Sequence, residues 1–279
     1  MLSFASTDSA PLEIWVTITQ PMVYLDHCVL AGLAVDSTGR GRQFREVLER
    51  AEGTLFLSWA HIVELFALGA GPTFERVAAY LKTFGGRFAI IDADPHAVIG
   101  REKNWKQGRQ NPALDEDFMR PLAKNWDGKS EMSLGILLDA IVKENEFFER
   151  IKVLHQEQKA NLKLLLDQQR ERYRVERGAK QLLDNAQYLY SPPAFMTEKV
   201  CMELIRECVL TNEQFNPSDG LDFYHAVVSI SYCTHAVFDK KWARRCGNVG
   251  LPEAAASVFD GTQMDELIAA LNSCPKIPK

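Results

Sequence analysis

MVYLDHCVL, residues 22–30, is a short apolar run that ends on an aspartate, Asp26, just before the pattern changes to that of a helix. An apolar run of this length, bounded by a change of pattern, is typical of a buried strand. An aspartate directly after a strand is most simply explained as a helix N-cap. The alternative is that Asp26 binds a metal ion, and the choice depends on the rest of the chain.

The overall composition is that of an ordinary globular protein, with 279 residues, 46% of them hydrophobic, and a net charge of -5. This length allows one large domain or one domain with a sizeable insertion. The six cysteines form no CxxC pair and no zinc-type spacing, which is typical of reduced thiols in the cytoplasm. Because no apolar run approaches the roughly 20 residues of a membrane span, we expect a soluble, cytoplasmic protein.

Short apolar strands alternate with helical segments at both ends of the chain. The predicted strands are residues 22–25, 54–57, 88–91, 236–238 and 256–259. A further edge strand is predicted within residues 14–18. Strands that alternate with amphipathic helices are typical of a parallel sheet with helices on its faces. The sequence therefore predicts an α/β fold with a parallel sheet of four to five strands.

The middle of the chain has a different pattern. No convincing strand is found there, and no Gly or Pro interrupts residues 136–177, which favours one very long helix or an α-hairpin. We therefore predict that residues 1–94 form the first part of an α/β domain and residues 194–279 the second part. Residues 95–193 are predicted to be a long α-helical insertion between them.

Carboxylates recur where the ends of such strands would meet. They are Asp26, Asp92 and Asp239, each directly after a predicted strand, Glu64 in the apolar helix WAHIVELFAL, and Asp219 and Asp222 at the start of the helix SDGLDFYHAVV. Each of these alone can be explained as a cap or a partly exposed acid. Together, carboxylates at one sheet edge would repel one another without a cation, and Mg²⁺ or Mn²⁺ prefers such oxygen ligands.

Three stretches, YLDHCVL, WAHIVELFAL and PSDGLDFYHAVVSISYCTHAVFDKKW, resemble in that order the PIN domain, a metal-dependent nuclease fold. The resemblance covers residues 22–92 and 212–271 and leaves the helical insertion outside it. It implies a PIN-like sheet and a metal-dependent endoribonuclease that hydrolyses RNA phosphodiester bonds. The implied Mg²⁺ or Mn²⁺ ligands are Asp26, Glu64, Asp222 and Asp239, with Asp219 as an additional or alternative ligand. Cys28 departs from the family, which often has Ser, Thr or Asn at this position.

Basic residues follow Asp239 directly and form the candidate substrate-binding set, which is Lys240, Lys241, Arg244 and Arg245. Such cations could hold the phosphates of RNA or DNA beside the metal, and an ordinary solvated helix is the other interpretation. His225, one turn after Asp222, is expected in the core. The alternative function is a catalytically degenerate PIN-like binding or assembly module. In that case the helical insertion would be the interface to a second copy or a protein partner.

Overall fold

The computed structural model describes residues 2–5, 13–67, 71–104, 111–123, 133–143, 195–211 and 215–274, with scattered residues between 149 and 171. Seven strands are found in these parts of the chain. They are β1 (Leu2–Ala5), β2 (Glu13–Val16), β3 (Met22–Leu25), β4 (Thr54–Ser58), β5 (Phe88–Ile91), β6 (His235–Phe238) and β7 (Ser257–Asp260).

Five of the strands form one parallel sheet in the order β5-β4-β3-β6-β7. The strands β4, β5 and β6 are buried throughout, as are the last three residues of β3, because helices cover both faces. Each strand must therefore be apolar at successive positions, which explains why the strands appear in the sequence as apolar runs. The predicted α/β class and parallel sheet are confirmed.

Helices follow the strands and complete the fold. They are α1 (His27–Val35), α2 (Arg40–Arg50), α3 (Trp59–Ala67), α4 (Pro72–Lys82), α5 (Pro95–Lys103), α6 (Glu116–Ala123), α7 (Leu134–Lys143), α8 (Met196–Leu210), α9 (Pro217–Tyr232), α10 (Lys240–Gly247) and α11 (Met264–Ser273). The helices α1, α3 and α10 each begin within two residues of the carboxyl end of a strand of the sheet. Their first turns therefore lie at that edge, beside the side chains that follow the strands.

The strand predicted within residues 14–18 is present, but it is not an edge strand of the parallel sheet. Residues Glu13–Val16 do form a strand, β2, but it pairs antiparallel with β1 in a separate two-stranded sheet. An isolated apolar run does not reveal which partner will satisfy its backbone groups, because pairing depends on the neighbours that the whole chain provides.

Residues from the predicted insertion belong to the same hydrophobic core as the sheet. Val98 of α5, Phe118 of α6 and Leu134 and Leu137 of α7 are buried in the core cluster that also contains the sheet strands. Between residues 149 and 171, the residues that are described are helical and have exposed or half-buried side chains. Residues 172–194 lie outside the described part of the chain, and the division into domains stays a prediction.

In the described part of the chain, no helix is both long enough and apolar enough to cross a membrane.

Candidate functional site

The carboxyl edge of the sheet has a topological switch point between β3 and β6. The chain runs from β3 through β4 to β5 on one side, whereas β6 and β7 lie on the other side. In open α/β sheets, ligands bind in the crevice that such a reversal of strand order opens. Asp26 follows β3 and Asp239 follows β6, so two of the predicted site residues flank this crevice.

Asp26 and Asp239 lie on adjacent strands in close register. Leu25 pairs with Val237, and the Asp26 N–H donates to the Val237 carbonyl at 2.8 Å. Asp239 comes two residues after Val237, so the pleat and pairing bring both carboxylates to the same edge. The pKa of Asp26 is raised by burial and, to a smaller extent, by the charge of Asp239.

Asp26 occupies the N-cap position of α1, yet its carboxylate accepts no capping hydrogen bond. Asp239 is at the corresponding position of α10, and there the Trp242 N–H donates to the Asp239 Oδ1 atom at 2.8 Å. Asp239 is therefore a helix cap that leaves its second carboxylate oxygen available. Asp26 therefore makes no capping hydrogen bond of good geometry, although the neighbouring N–H groups of His27 and Cys28 lower the pKa of its carboxyl.

Glu64 and Asp222 reach the same crevice from α3 and α9. Burial raises the pKa of Glu64 to about 7, with a further contribution from the charge of Asp26. Burial also raises the pKa of Asp222 to about 8, followed by the charges of Asp26, Asp239 and Glu64. The charge of Asp26 thus acts on both Glu64 and Asp222, which indicates that these side chains lie near the end of β3. The structure thus brings together four predicted residues from four separate elements.

The four acids do not form a closed metal site in this conformation. In the described parts of the chain, no group of three or more His, Cys, Asp or Glu side chains has the arrangement of a metal-binding cluster. The donor chemistry fits Mg²⁺ or Mn²⁺, because hard divalent ions take carboxylate oxygens. The raised pKa values also fit, because a cation would offset both their main cause, burial, and the smaller effect of the neighbouring acids. A metal ion would have to draw the carboxylates closer together.

Cys28, the position where the chain departs from the PIN pattern, contacts Asp26 directly. Its Sγ atom donates to the Asp26 Oδ2 atom at 3.0 Å. Burial and the charge of Asp26 raise the pKa of the thiol well above its usual value, so it stays protonated and can donate. This contact opposes the rise in the pKa of Asp26. The thiol therefore donates a hydrogen bond to Asp26, although a thiol is a weaker donor than a hydroxyl.

Asp219 has other partners than a metal. Its carboxylate accepts from the Asn216 N–H at 2.7 Å, and the Asn216 side chain accepts from the Asp219 N–H, which together form a capping box. Its other oxygen accepts from the Lys241 ammonium at 2.5 Å. Asp219 is almost fully buried with these partners. Asp219 therefore completes the capping box of α9 and binds Lys241. Because both of its oxygens are bound by the protein, it is not a candidate metal ligand in this structure.

Of the four predicted substrate-binding cations, two are exposed and two are held by other residues of the protein. Lys240 and Arg244 are exposed, whereas the ammonium of Lys241 is bound to Asp219. Arg245 is 1% exposed, with its guanidinium over the rings of Phe215 and Trp242. The prediction that Arg245 binds substrate is therefore wrong, because its side chain lies in the core. Successive residues of a helix point in different directions, so a basic run cannot lie on a single surface.

Asp92, the remaining acid at a strand end, lies outside the crevice. It follows β5, the edge strand, with β4 between β5 and β3. Its Oδ2 atom accepts from the Arg101 guanidinium at 2.7 Å, and its Oδ1 atom accepts from the Asp94 N–H at 2.8 Å. Both oxygens are therefore satisfied by the protein.

A buried polar network beneath the acids was not anticipated from the sequence. The Nε2–H group of His61 donates to the carbonyl of Leu25 at 2.7 Å, and its Nδ1 atom accepts from the N–H of Ser58 at 3.1 Å. The Ser58 hydroxyl lies 3.2 Å from the Nε2 atom of His225, which confirms the predicted core position of His225. This network joins the residue before Asp26 to the helices that carry Glu64 and Asp222. The i, i+3 spacing of His61 and Glu64, and of Asp222 and His225, is a sequence signal that could have indicated it.

Lys159, in the middle segment of the chain, also lies close to one of the acids. No pattern in the sequence indicates this contact. Its ammonium lies 3.8 Å from the Oε1 atom of Glu64, and the Nδ1 atom of His27 lies 3.8 Å from the Oε2 atom. The positive charge of Lys159 lowers the pKa of Glu64, although burial outweighs it. Part of the helical middle segment therefore lies against the crevice.

Comparisons with protein-family models, with curated proteins and with solved structures found no match for this chain. The interpretation of the crevice therefore rests on its residues, on their positions in the fold and on the resemblance of the three sequence stretches to the PIN domain.

Proposed function

We propose that the chain is a PIN-like, metal-dependent endoribonuclease. The observation that carries this proposal is that Asp26 and Asp239 follow the adjacent strands β3 and β6 at the switch point of the sheet, where the charge of Asp26 raises the pKa of both Glu64 and Asp222. Burying several carboxylates together is costly unless a cation joins them. A site of concentrated negative charge in a crevice is therefore best explained as a site for a divalent cation.

The proposed roles follow from the positions of the side chains at the carboxyl edge of the sheet. Asp26, Asp222 and Asp239 would hold Mg²⁺ or Mn²⁺, and Glu64 would bind it directly or through water. Such an ion lowers the pKa of water and stabilises charge on a phosphodiester under attack. Lys240 and Arg244, exposed beside Asp239, would hold the phosphates of the RNA strand, and DNA is the alternative polyanion.

The test is a pair of measurements on the wild type and on Asp26→Asn. We expect Mn²⁺ to raise the melting temperature of the wild type, because a ligand that binds only the folded state stabilises it. We also expect Mn²⁺-dependent cleavage of single-stranded RNA, abolished by chelation. Asp26→Asn removes a ligand charge, so both the thermal shift and the cleavage should be lost while the circular dichroism spectrum is retained.

Asp117→Asn is the matched control, because Asp117 is an exposed acid of α6, on the β5 side of the sheet and outside the crevice between β3 and β6. This variant should bind Mn²⁺ and cleave RNA as the wild type does. Full Mn²⁺-dependent cleavage by a clean preparation of Asp26→Asn would overturn the assignment.

A second candidate function is a PIN-like binding or assembly module that has lost catalysis. It is favoured by the absence of a closed metal-binding cluster in the described residues and by the Lys159 ammonium beside Glu64. The helical middle segment would then serve as the interface to a second copy or another protein. This alternative predicts no Mn²⁺ thermal shift, together with a stable oligomer or complex in light scattering.

We place the protein in the cytoplasm as part of the same proposal. All six cysteines are free, and four of them are buried in the core. Free, buried thiols suit a reducing compartment, where RNA is also present.

A further inference from the structure

A cleft adjoins the acidic crevice on the side of β6 and β7. It lies between α1 and the turn that follows β7, and its volume is about 340 Å³. Asp239 and Cys28 lie at the end of the cleft that meets the acids. A volume of this size is at the lower end of the roughly 300–1,000 Å³ of small-ligand pockets. The cleft could therefore hold one nucleotide, but not a paired duplex.

The floor of the cleft is apolar, and its other lining residues include two cations and the acids Asp36 and Asp239. Val29, Leu33 and Met264 line it, and all three are almost completely buried by the protein beneath them. Lys240 lies at the rim, is exposed, and makes no salt bridge with the described residues. Arg40 is also at the rim, held by two hydrogen bonds of 3.1 Å to Asp265. Of these two rim cations, Lys240 is therefore the one that remains available to bind an anion.

We propose that this cleft holds one nucleotide of the substrate, next to the phosphodiester that lies at the acids. Its base would lie on the floor formed by Val29, Leu33 and Met264, and its phosphate would contact Lys240. The positions of the charged residues agree with this arrangement. The phosphate would contact the cation Lys240, and the phosphodiester to be cleaved would extend toward Asp239. The inference rests on the proposed nuclease function and adds to it the place where the strand enters the site.

Gly32 offers a selective way to close the cleft. It lines the cleft on α1, and a Cβ atom added there would meet no other atom within 4 Å. A helical side chain leans toward the turn before it, so a leucine at this position would lean over Val29 and Cys28. Its apolar surface would favour that position on the apolar floor.

The experiment compares Gly32→Leu with Gly32→Ala. Both variants remove a helical glycine, which is worth up to about 1 kcal/mol of stability, so neither should destabilise the fold. We expect Gly32→Leu to lower kcat/KM for short single-stranded RNA about tenfold or more, because it displaces a bound base. Gly32→Ala adds only a methyl group and should lower kcat/KM much less than Gly32→Leu does, and all three proteins should give the same Mn²⁺ thermal shift. Equal cleavage by the two variants would overturn the inference.

A direct measurement separates failure of this inference from failure of the proposed function. Addition of the same RNA to the wild type should shift the methyl signal of Met264 in an NMR spectrum, and Gly32→Leu should abolish that shift. If the wild type does not cleave RNA but the Met264 signal shifts, the nuclease proposal fails and the nucleotide site stands. If the signal does not shift, the nucleotide site is overturned, whatever the cleavage assay gives.

Discussion

At the scale of single residues, aspartates in similar sequence contexts have different partners. Asp239 caps a helix through one oxygen, Asp219 is bound by Lys241 and the backbone, and Asp92 is bound by Arg101. Asp26 accepts from the thiol of Cys28, and the N–H groups of His27 and Cys28 at the start of α1 lower the pKa of its carboxyl. These contacts separate Asp92 and Asp219, whose two oxygens are both bound by the protein, from the other candidate ligands.

Substitution of Cys28 tests whether its thiol supports Asp26. Cys28→Ala removes the donor, so the pKa of Asp26 should rise and Mn²⁺ binding near pH 6 should weaken by about fivefold, the worth of one hydrogen bond of about 1 kcal/mol. Cys28→Ser supplies a better donor and should bind Mn²⁺ at least as well as the wild type. Isothermal titration at two pH values measures both. A Cys28→Ala variant with unchanged affinity at low pH would show that the contact has no role.

At the scale of elements, His61 fixes the relative positions of β3 and α3. It joins the last carbonyl of β3 to the end of β4, and its ring stacks on that of His225 from α9 at 5.4 Å. Burial lowers the pKa of His61 to about 3, so the ring is neutral near pH 7 and can accept from the Ser58 N–H. The network therefore holds the elements that carry Asp26, Glu64 and Asp222 in register.

Replacement of His61 by leucine should be costly, because it leaves the Leu25 carbonyl and the Ser58 N–H without partners in the core. We expect the free energy of unfolding to fall by about 2–4 kcal/mol, from the cost of two unsatisfied buried groups. The folded fraction should also bind Mn²⁺ more weakly. Urea unfolding and calorimetric titration measure these two effects. His96→Leu, on the exposed side of α5, is the control and should change stability by no more than about 0.5 kcal/mol.

At the scale of the whole molecule, the topology concentrates charge. Strand order β5-β4-β3-β6-β7 places the ends of β3 and β6 side by side, although more than 200 residues separate them in the chain. The helices α3 and α9 then bring two further acids to the same edge. The folded protein holds this charge in place, whereas in the unfolded chain the four carboxylates are far apart and ionise at their usual pKa values.

The stability of the metal-free protein should therefore fall as the pH rises above neutrality. The pKa values of Asp222 and Glu64 are raised to about 8 and about 7, so the folded state binds more protons than the unfolded state. Their contribution to stability is complete below the unfolded values near 4 and is lost as the pH rises through about 7 to 8. Asp115, whose pKa burial raises to about 7, adds to this effect. The pKa of His61 is lowered from 6.5 to about 3 in the folded protein, so His61 makes the stability increase with pH. That increase is complete by about pH 6.5 and does not overlap the loss between about pH 7 and about pH 8.

The measurement is urea unfolding between about pH 6.5 and about pH 8.5 in the presence of a chelator, a range that includes both pKa values. Asp222→Asn should reduce the loss of stability without abolishing it, because Glu64 and Asp115 remain. Mn²⁺ should reduce the loss in the wild type much more than in Asp222→Asn. A wild type equally stable across this range would contradict the proposed charge concentration.

Much of the architecture follows from the sequence alone. The apolar runs at residues 22–25, 54–57, 88–91 and 236–238 are long enough for strands and too uniformly apolar to face water, so they predict a buried parallel sheet. An aspartate after a parallel strand must lie at the carboxyl edge, which is why the positions of Asp26 and Asp239 in the sequence suffice to place them at one edge. Glu64 and Asp222 are expected at the same edge because their helices start there.

Only the tertiary structure decided which of the candidates are already occupied. Arg245 lies in the core and Lys241 on Asp219, because the direction of a side chain depends on packing that no short stretch specifies. The partners of β2 and the contact of Lys159 with Glu64 depend on residues distant in the chain. The sequence thus determined the strands, their parallel arrangement and the acids at their ends. The fold determined which side chains remain open to a cation, because hydrogen bonds and ion pairs between distant residues exist only once the chain is packed.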